Sequence, residues 1–253
     1  MPQATFRFYG PLNDFLPPER RQRSFCHTFT GRASVKDMVE SLGVPHPEID
    51  LLLVNGEPVG FEYIVRPGDR VSVYPRFTTI EVGDLSRVRP APLPEARFVL
   101  DTHLGRLAAY LRLLGFDTLY RNNFDDPELA RLSDEEGRIL LTRDRGLLKR
   151  NAVRYGYCVR AKYPRRQVVE VLRHFDLFDR IVPFRRCVRC NGLVEPVAKA
   201  EIDHLLAADT RRYYHEFSRC TVCEQIYWKG SHYRRIQKLV EEIVATGARK
   251  SDC

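Results

Sequence analysis

Two Cys-x-x-Cys pairs, Cys187/Cys190 in RCVRCNG and Cys220/Cys223 in RCTVCEQIYWKGSHY, supply four soft ligands, the number a tetrahedral zinc ion takes. The long spacing leaves room for a helical insert between them. The competing reading is two disulfides or four unrelated core thiols. It fits poorly, because Met1 to Gly10 shows no basic region followed by an apolar core, and Cys26, Cys158 and Cys253 are left over without a pairing pattern, as in a reducing compartment. The second chemical set is acidic. Asp101 closes the apolar run ARFVLD and Asp144 closes GRILLTRD, and helical signals follow each.

Around these aspartates strand and helix signals alternate. After Asp101, Leu104, Leu107, Ala108, Leu111 and Leu114 recur at helical spacing, closed by Gly115 at the expected cap. FDTLY and YGYCVRA read as strands, DDPELARLSDEEG and RRQVVEVLRHF as helices. Strands alternating with helices imply a parallel sheet covered on both faces, with ligands beyond the carboxyl ends of its strands, where Asp101 and Asp144 are placed. Carboxylates gathered there repel one another without a cation. Magnesium or manganese, hard ions that prefer oxygen, would relieve that repulsion and activate water against a phosphodiester. Asp126 and Asp125 are candidates for a third ligand, although Asp126 also reads as an N-cap with Pro127 in the first helical position. Asp117, Asp134, Glu135 and Glu136 are weaker candidates, the last three reading as a solvated helix end.

Cations surround the acidic positions. Arg143 and Arg145 bracket Asp144, and Arg106 lies one turn past Asp101. They either neutralise the acids internally or grip the scissile phosphate, and phosphate contact is the favoured reading. Farther on, Tyr213, Tyr214, His215, Tyr227, Trp228, His232 and Tyr233 interleave with Arg211, Arg212, Lys229, Arg234 and Arg235, a mixture suited to stacking on unpaired bases. A small ribbon also needs aromatic residues for its own core. Tyr227 and Trp228 are assigned there, and Tyr213, Lys229, Arg234 and Arg235 to RNA.

Net charge is +8 over 253 residues, and the excess is uneven. Residues 1–95 hold 11 Lys/Arg against 12 Asp/Glu, while residues 96–253 hold 30 against 21. An arginine-rich rear favours a polyanionic partner. No apolar run reaches the ~18–20 residues that span a bilayer, so a soluble, cytoplasmic protein is expected.

The front segment reads as a sheet with one helix. TFRFYG and RSFCHTF form the first strands, and SVKDMVESLG forms a helix capped by Ser34 and stopped by Gly43. LLLVNGEPV turns at Asn55-Gly56, and YIVRPGDRVSVYP at Pro67-Gly68. This order resembles a β-grasp, ubiquitin-like fold, and VNG…VRPGDRVSVYP resembles the sulfur-carrier proteins of thiamine and molybdopterin synthesis. The Gly-Gly tail of those carriers is absent, so the segment is assigned to docking or scaffolding of a protein partner. Three prolines in GDLSRVRPAPLPEA mark a linker.

The runs FVLDTHLGRLAAYLRLLGFDTLY, DDPELARL, EEGRILLTRDRGLL, FRRCVRCNGLV and FSRCTVCEQIYWKGSHYRRI, in this order, resemble the Mut-seven carboxy-terminal ribonuclease family, a PIN-like nuclease domain followed by a zinc ribbon. The resemblance covers roughly Arg97 to Gln237. It implies a divalent-metal ribonuclease with Asp101, Asp126 and Asp144 on magnesium or manganese, and Cys187, Cys190, Cys220 and Cys223 on structural zinc. The expected α/β architecture is a β-grasp domain at 1–82, a linker at 83–95, a three-layer PIN-like domain with a parallel sheet at 96–182, and a zinc ribbon with a C-terminal helix at 183–253. One departure stands out: where PIN nucleases often place a fourth acid, this chain has Arg145 and Gly146. A ribonuclease acting on RNA, with transfer RNA a candidate substrate, is therefore the first reading. A non-catalytic RNA-binding or regulatory module with a vestigial pocket is the alternative.

Overall fold

The computed structural model describes residues 1–77, 85–88 and 95–248, so most of the proline-rich linker, and Cys253, lie outside the described residues. The chain divides into two compact units, Met1–Glu95 with Phe124–Cys158, and Ala96–Asn123 with Val159–Cys253. The segment 96–182 is thus shared between them.

The first unit opens with β1 (Gln3–Phe8), β2 (Phe25–Thr28), α1 (Val35–Ser41), β3 (Ile49–Val54), β4 (Glu57–Pro58) and β5 (Arg70–Pro75). The strands lie in the order β2-β1-β5-β3-β4, with β1 and β5 parallel and the other neighbours antiparallel. This is the β-grasp arrangement. Local chemistry explains its turns. Ser34 caps α1 in a reciprocal box with Asp37, which satisfies two otherwise orphaned amides. Asn55 and Gly56 both take positive φ (55° and 95°), as a two-residue hairpin turn requires. Alternate residues of β1, Ala4, Phe6 and Phe8, are buried, together with Val35, Val39 and Leu52.

The same unit contains α3 (Asp126–Glu135), β8 (Ile139–Thr142), α4 (Arg145–Leu148) and β9 (Gly156–Cys158). β8 and β9 pair in parallel, Leu140 opposite Gly156 and Thr142 opposite Cys158. Every residue of both strands is buried, as expected of parallel strands covered on two faces.

In the second unit β6 (Phe98–Leu100) leads through a 3₁₀ turn (Thr102–Leu104) into α2 (Gly105–Leu113), and β7 (Thr118–Leu119) returns parallel to β6. Gly115, at φ 96°, ends α2, as its position after the apolar stripe predicts. A Cβ there would lie 2.2 Å from the carbonyl oxygen of Val182, so the site demands glycine twice over. α5 (Pro164–Phe175) packs on α2. A three-stranded antiparallel sheet follows, β10 (Val194–Val197), β11 (Phe217–Cys220) and β12 (Ile226–Trp228), in sequential order. Between β10 and β11 lies the expected helical insert, α6 (Lys199–Ile202) and α7 (Ala208–Tyr213). Ile202 and Leu206 of the insert close a small core with Phe217 of the sheet. The chain then enters α8 (Ser231–Ala248).

Candidate functional site

The sulfurs of Cys187, Cys190, Cys220 and Cys223 lie within 4.8 Å of one another. Cys187 and Cys223 are 3.5 Å apart, and Cys190 and Cys220 are 3.4 Å apart. A disulfide would bring two sulfurs to about 2.0 Å. Four thiolates on one ion with bonds of about 2.3 Å stand about 3.8 Å from each other, so this donor set and spacing fit tetrahedral zinc. Backbone amides already face the sulfurs: Gly192 N–H donates to Cys190 Sγ (3.5 Å), and Val222 and Cys223 N–H to Cys220 Sγ (3.4 and 3.5 Å). Tyr227 Oη stands 3.1 Å from Cys187 Sγ. Burial raises the Cys187 thiol, but the Tyr227 hydroxyl and the amides of Cys190 and Arg189 outweigh it and hold the group at about 6. Burial pushes Cys190 up to about 12, so an ion binding there would have to displace its proton. His215 and His232 are exposed and stand outside this cluster.

The first knuckle is tied to the elements that follow Asp101. Arg112, buried in α2, donates to the carbonyls of Val188 (3.2 Å) and Arg189 (2.9 Å) between the two cysteines, and also to Thr118 O (2.9 Å). Burial depresses its pKa, while the neighbouring Cys190, Cys187 and Asp117 favour the charged form. Asn191, immediately after Cys190, accepts from the buried Thr118 N–H (2.9 Å) and donates to Asp117 Oδ1 (2.9 Å). Its φ of 74° is one that asparagine tolerates better than most residues. Nothing local in the sequence marks Arg112, two of whose carbonyl partners lie 76 and 77 residues away.

Asp101 is buried directly after β6. Thr102 Oγ1 donates to its Oδ1 (3.1 Å), and Tyr120 Oη holds the carbonyl of Thr102 (2.8 Å). Asp144 follows β8 by two residues and opens α4. Its Oδ1 accepts from Gly146 N–H (2.6 Å) and Leu147 N–H (3.4 Å), and its own N–H donates to Thr142 Oγ1 (2.9 Å). Both side-chain bonds fall on Oδ1 of a residue that is exposed.

At α3 the structure corrects one reading. The N-cap is Asp125, whose Oδ1 accepts from Glu128 N–H (2.8 Å), and not Asp126. Pro127 occupies the second helical position, so the cap shifts one residue earlier. Asp126 is released from that duty, and its carboxylate stands 3.8 Å from Arg150 Nη2. Asp125→Ala should therefore lower stability by about 1 kcal/mol in urea unfolding, and Asp126→Asn by less than about 0.5 kcal/mol; the reverse ranking would return the cap to Asp126.

The cations assigned to RNA fall into two groups. Arg106, Arg143, Arg234 and Arg235 are exposed, and so is Tyr213, with Arg212 over its ring at 5.5 Å. Lys229 is exposed but ion-paired with Glu216 (2.7 Å), and Arg145 donates to the carbonyl of Phe15 (3.2 Å). Trp228, assigned to the ribbon core, is 39% exposed, while Tyr227 is half-buried against the cysteines. Among the described residues no helix is long and apolar enough to cross a membrane.

The chain combines a β-grasp module, parallel strands followed by Asp101 and Asp144, and a four-cysteine cluster. Residues 96–240 match the Mut7-C RNAse domain and residues 1–81 the Mut7-C ubiquitin domain. The chain belongs to the Mut7-C RNAse domain family, carrying that family's ubiquitin-like domain in front. No curated protein and no solved structure gives a significant match.

Proposed function

We propose that this protein is a divalent-metal-dependent ribonuclease that hydrolyses RNA phosphodiester bonds, with transfer RNA among its substrates, and that Asp101, Asp126 and Asp144 are its acidic residues. The observation that carries this reading is positional. Asp101 and Asp144 each stand at the carboxyl end of a buried parallel strand, where such folds place their ligands. Asp144 is exposed and spends only Oδ1 on its cap, and Asp126 is not the cap of its helix, so both offer hard oxygen donors suited to magnesium or manganese. Such an ion, when bound, polarises the phosphoryl group and lowers the pKa of a bound water. Arg106 and Arg143 receive the phosphates, and Asp125 serves as cap.

Zinc on the four cysteines is structural in this proposal, since four protein thiolates close the coordination sphere. The ubiquitin-like module contributes protein interaction, and the protein works in the cytoplasm. Incubating the chain with RNA in magnesium, manganese or EDTA tests the catalytic reading. RNA binding that survives without cleavage would favour the regulatory module.

Binding has its own signature. If Arg234 and Arg235 contact phosphates, their double alanine variant should flatten the slope of log affinity against log salt by about 1 to 2. An unchanged slope in a fluorescence-anisotropy titration would remove α8 from the interface.

A further inference from the structure

The ubiquitin-like module grips the chain around Asp144. Arg145, the residue after Asp144, donates from Nη1 to the carbonyl of Phe15 (3.2 Å), and its guanidinium lies over the Phe15 ring at 4.9 Å. At the other end of α4, the C-cap residue Lys149 donates through Nζ to the carbonyl of Glu40. Two residues on, Asn151 Oδ1 accepts from Lys36 Nζ (2.7 Å). Glu48, only 3% exposed, accepts the backbone N–H of Cys158, the last residue of β9, at 2.6 Å. β9 is the parallel neighbour of β8, the strand that delivers Asp144. The module therefore holds both ends of the four-residue helix that Asp144 caps, and also the strand beside it.

A helix of one turn has little stability of its own, because nucleation fixes several residues for a single hydrogen bond. α4 is that short, and Asp144 depends on it: the carboxylate is oriented by the amides of Gly146 and Leu147. Whatever fixes α4 fixes the orientation of that carboxylate. We propose that the ubiquitin-like domain is an intramolecular positioning element, in which Arg145 and Glu48 orient Asp144, and that Arg145 is an anchor rather than a phosphate contact. This rests on Asp144 being an acidic residue of the ribonuclease. It also accounts for the cation found where a fourth acid would stand: Arg145 belongs to the interface with Phe15.

The test uses the full chain with zinc retained. Arg145→Ala and Glu48→Ala are compared with Arg145→Lys and Glu48→Gln, which keep the donor and the acceptor respectively. Amide exchange at Gly146 and Leu147 reports the Asp144 turn directly and should accelerate about tenfold in both alanine variants, the effect of one well-formed hydrogen bond. The turnover number should fall about tenfold, with KM and the salt slope of RNA binding unchanged. The conservative variants should restore both readouts to within about twofold. Unaltered exchange at Gly146 and Leu147 in both alanine variants would overturn the proposal. So would a rise in KM with a flattened salt slope in Arg145→Ala, which would return Arg145 to phosphate binding. If the wild type cleaves no RNA, the ribonuclease reading fails, and the exchange measurement still decides whether the module orients Asp144.

Discussion

Replacing Asp144 with asparagine should abolish most cleavage while leaving the protein folded. The amide keeps a carbonyl oxygen that can accept from Gly146 and Leu147, so the cap of α4 survives in the variant. It removes the negative charge that a divalent ion needs from its ligand. Charge stabilisation by such an ion is worth several kcal/mol in the transition state, and each 1.36 kcal/mol is tenfold in rate, so a loss of about 10²- to 10³-fold is expected. Asp101→Asn should act similarly. RNA affinity should stay the same or rise, since one charge opposing the phosphates has gone. Asp126→Asn should lower the rate in the same direction, without the helix-capping cost that falls on Asp125. Quench-flow or gel assays at saturating RNA measure the first effect, and undiminished cleavage in Asp144→Asn would displace the active site from this residue.

Removing zinc should destabilise more than the ribbon. The apparent binding free energy of four-ligand structural zinc, about 10–16 kcal/mol, is comparable with the ~5–15 kcal/mol stability of a whole domain. The first knuckle also serves as the partner of Arg112, Thr118 and Asp117. If the knuckle opens, Arg112 remains as a buried cation that has lost two carbonyl partners, and the Thr118 amide loses its acceptor. A strong chelator should therefore remove amide protection in α2 and β7 together with the ribbon, and leave β1, β3 and β5 protected. Metal analysis should find about one zinc per chain. Protection in α2 surviving complete zinc loss would show that the ribbon folds apart from these elements.

Features fixed by neighbours in sequence were legible from sequence. The Ser34 cap, the Asn55-Gly56 turn and Gly115 after an apolar stripe each state their conformation within a few residues, and each is found as read. The cysteine pairs were legible because thiols at that spacing have few other uses. The cap of α3 was harder, because Asp125 and Asp126 are adjacent and either can precede Pro127; the register of the helix decides, and it is one residue earlier than read. Long-range partners left no trace. Glu48 meets the amide of Cys158 across 110 residues, and Arg145 meets Phe15 across 130. In the sequence Arg145 reads as a cation beside Asp144 suited to phosphate contact, and only the fold gives it a carbonyl and a ring. The division of 96–182 between two compact units was hidden for the same reason.

If the proposed function is right, this chain hydrolyses RNA only with a divalent metal. The decisive experiment is incubation of the purified 253-residue chain with RNA in magnesium, in manganese and in EDTA, with Asp101→Asn protein prepared alongside to exclude a contaminating nuclease. Cleavage by the wild type with either metal, absent in EDTA and reduced by orders of magnitude in the variant, is the predicted result. Intact RNA under every metal condition, or equal cleavage by wild type and variant, would contradict it.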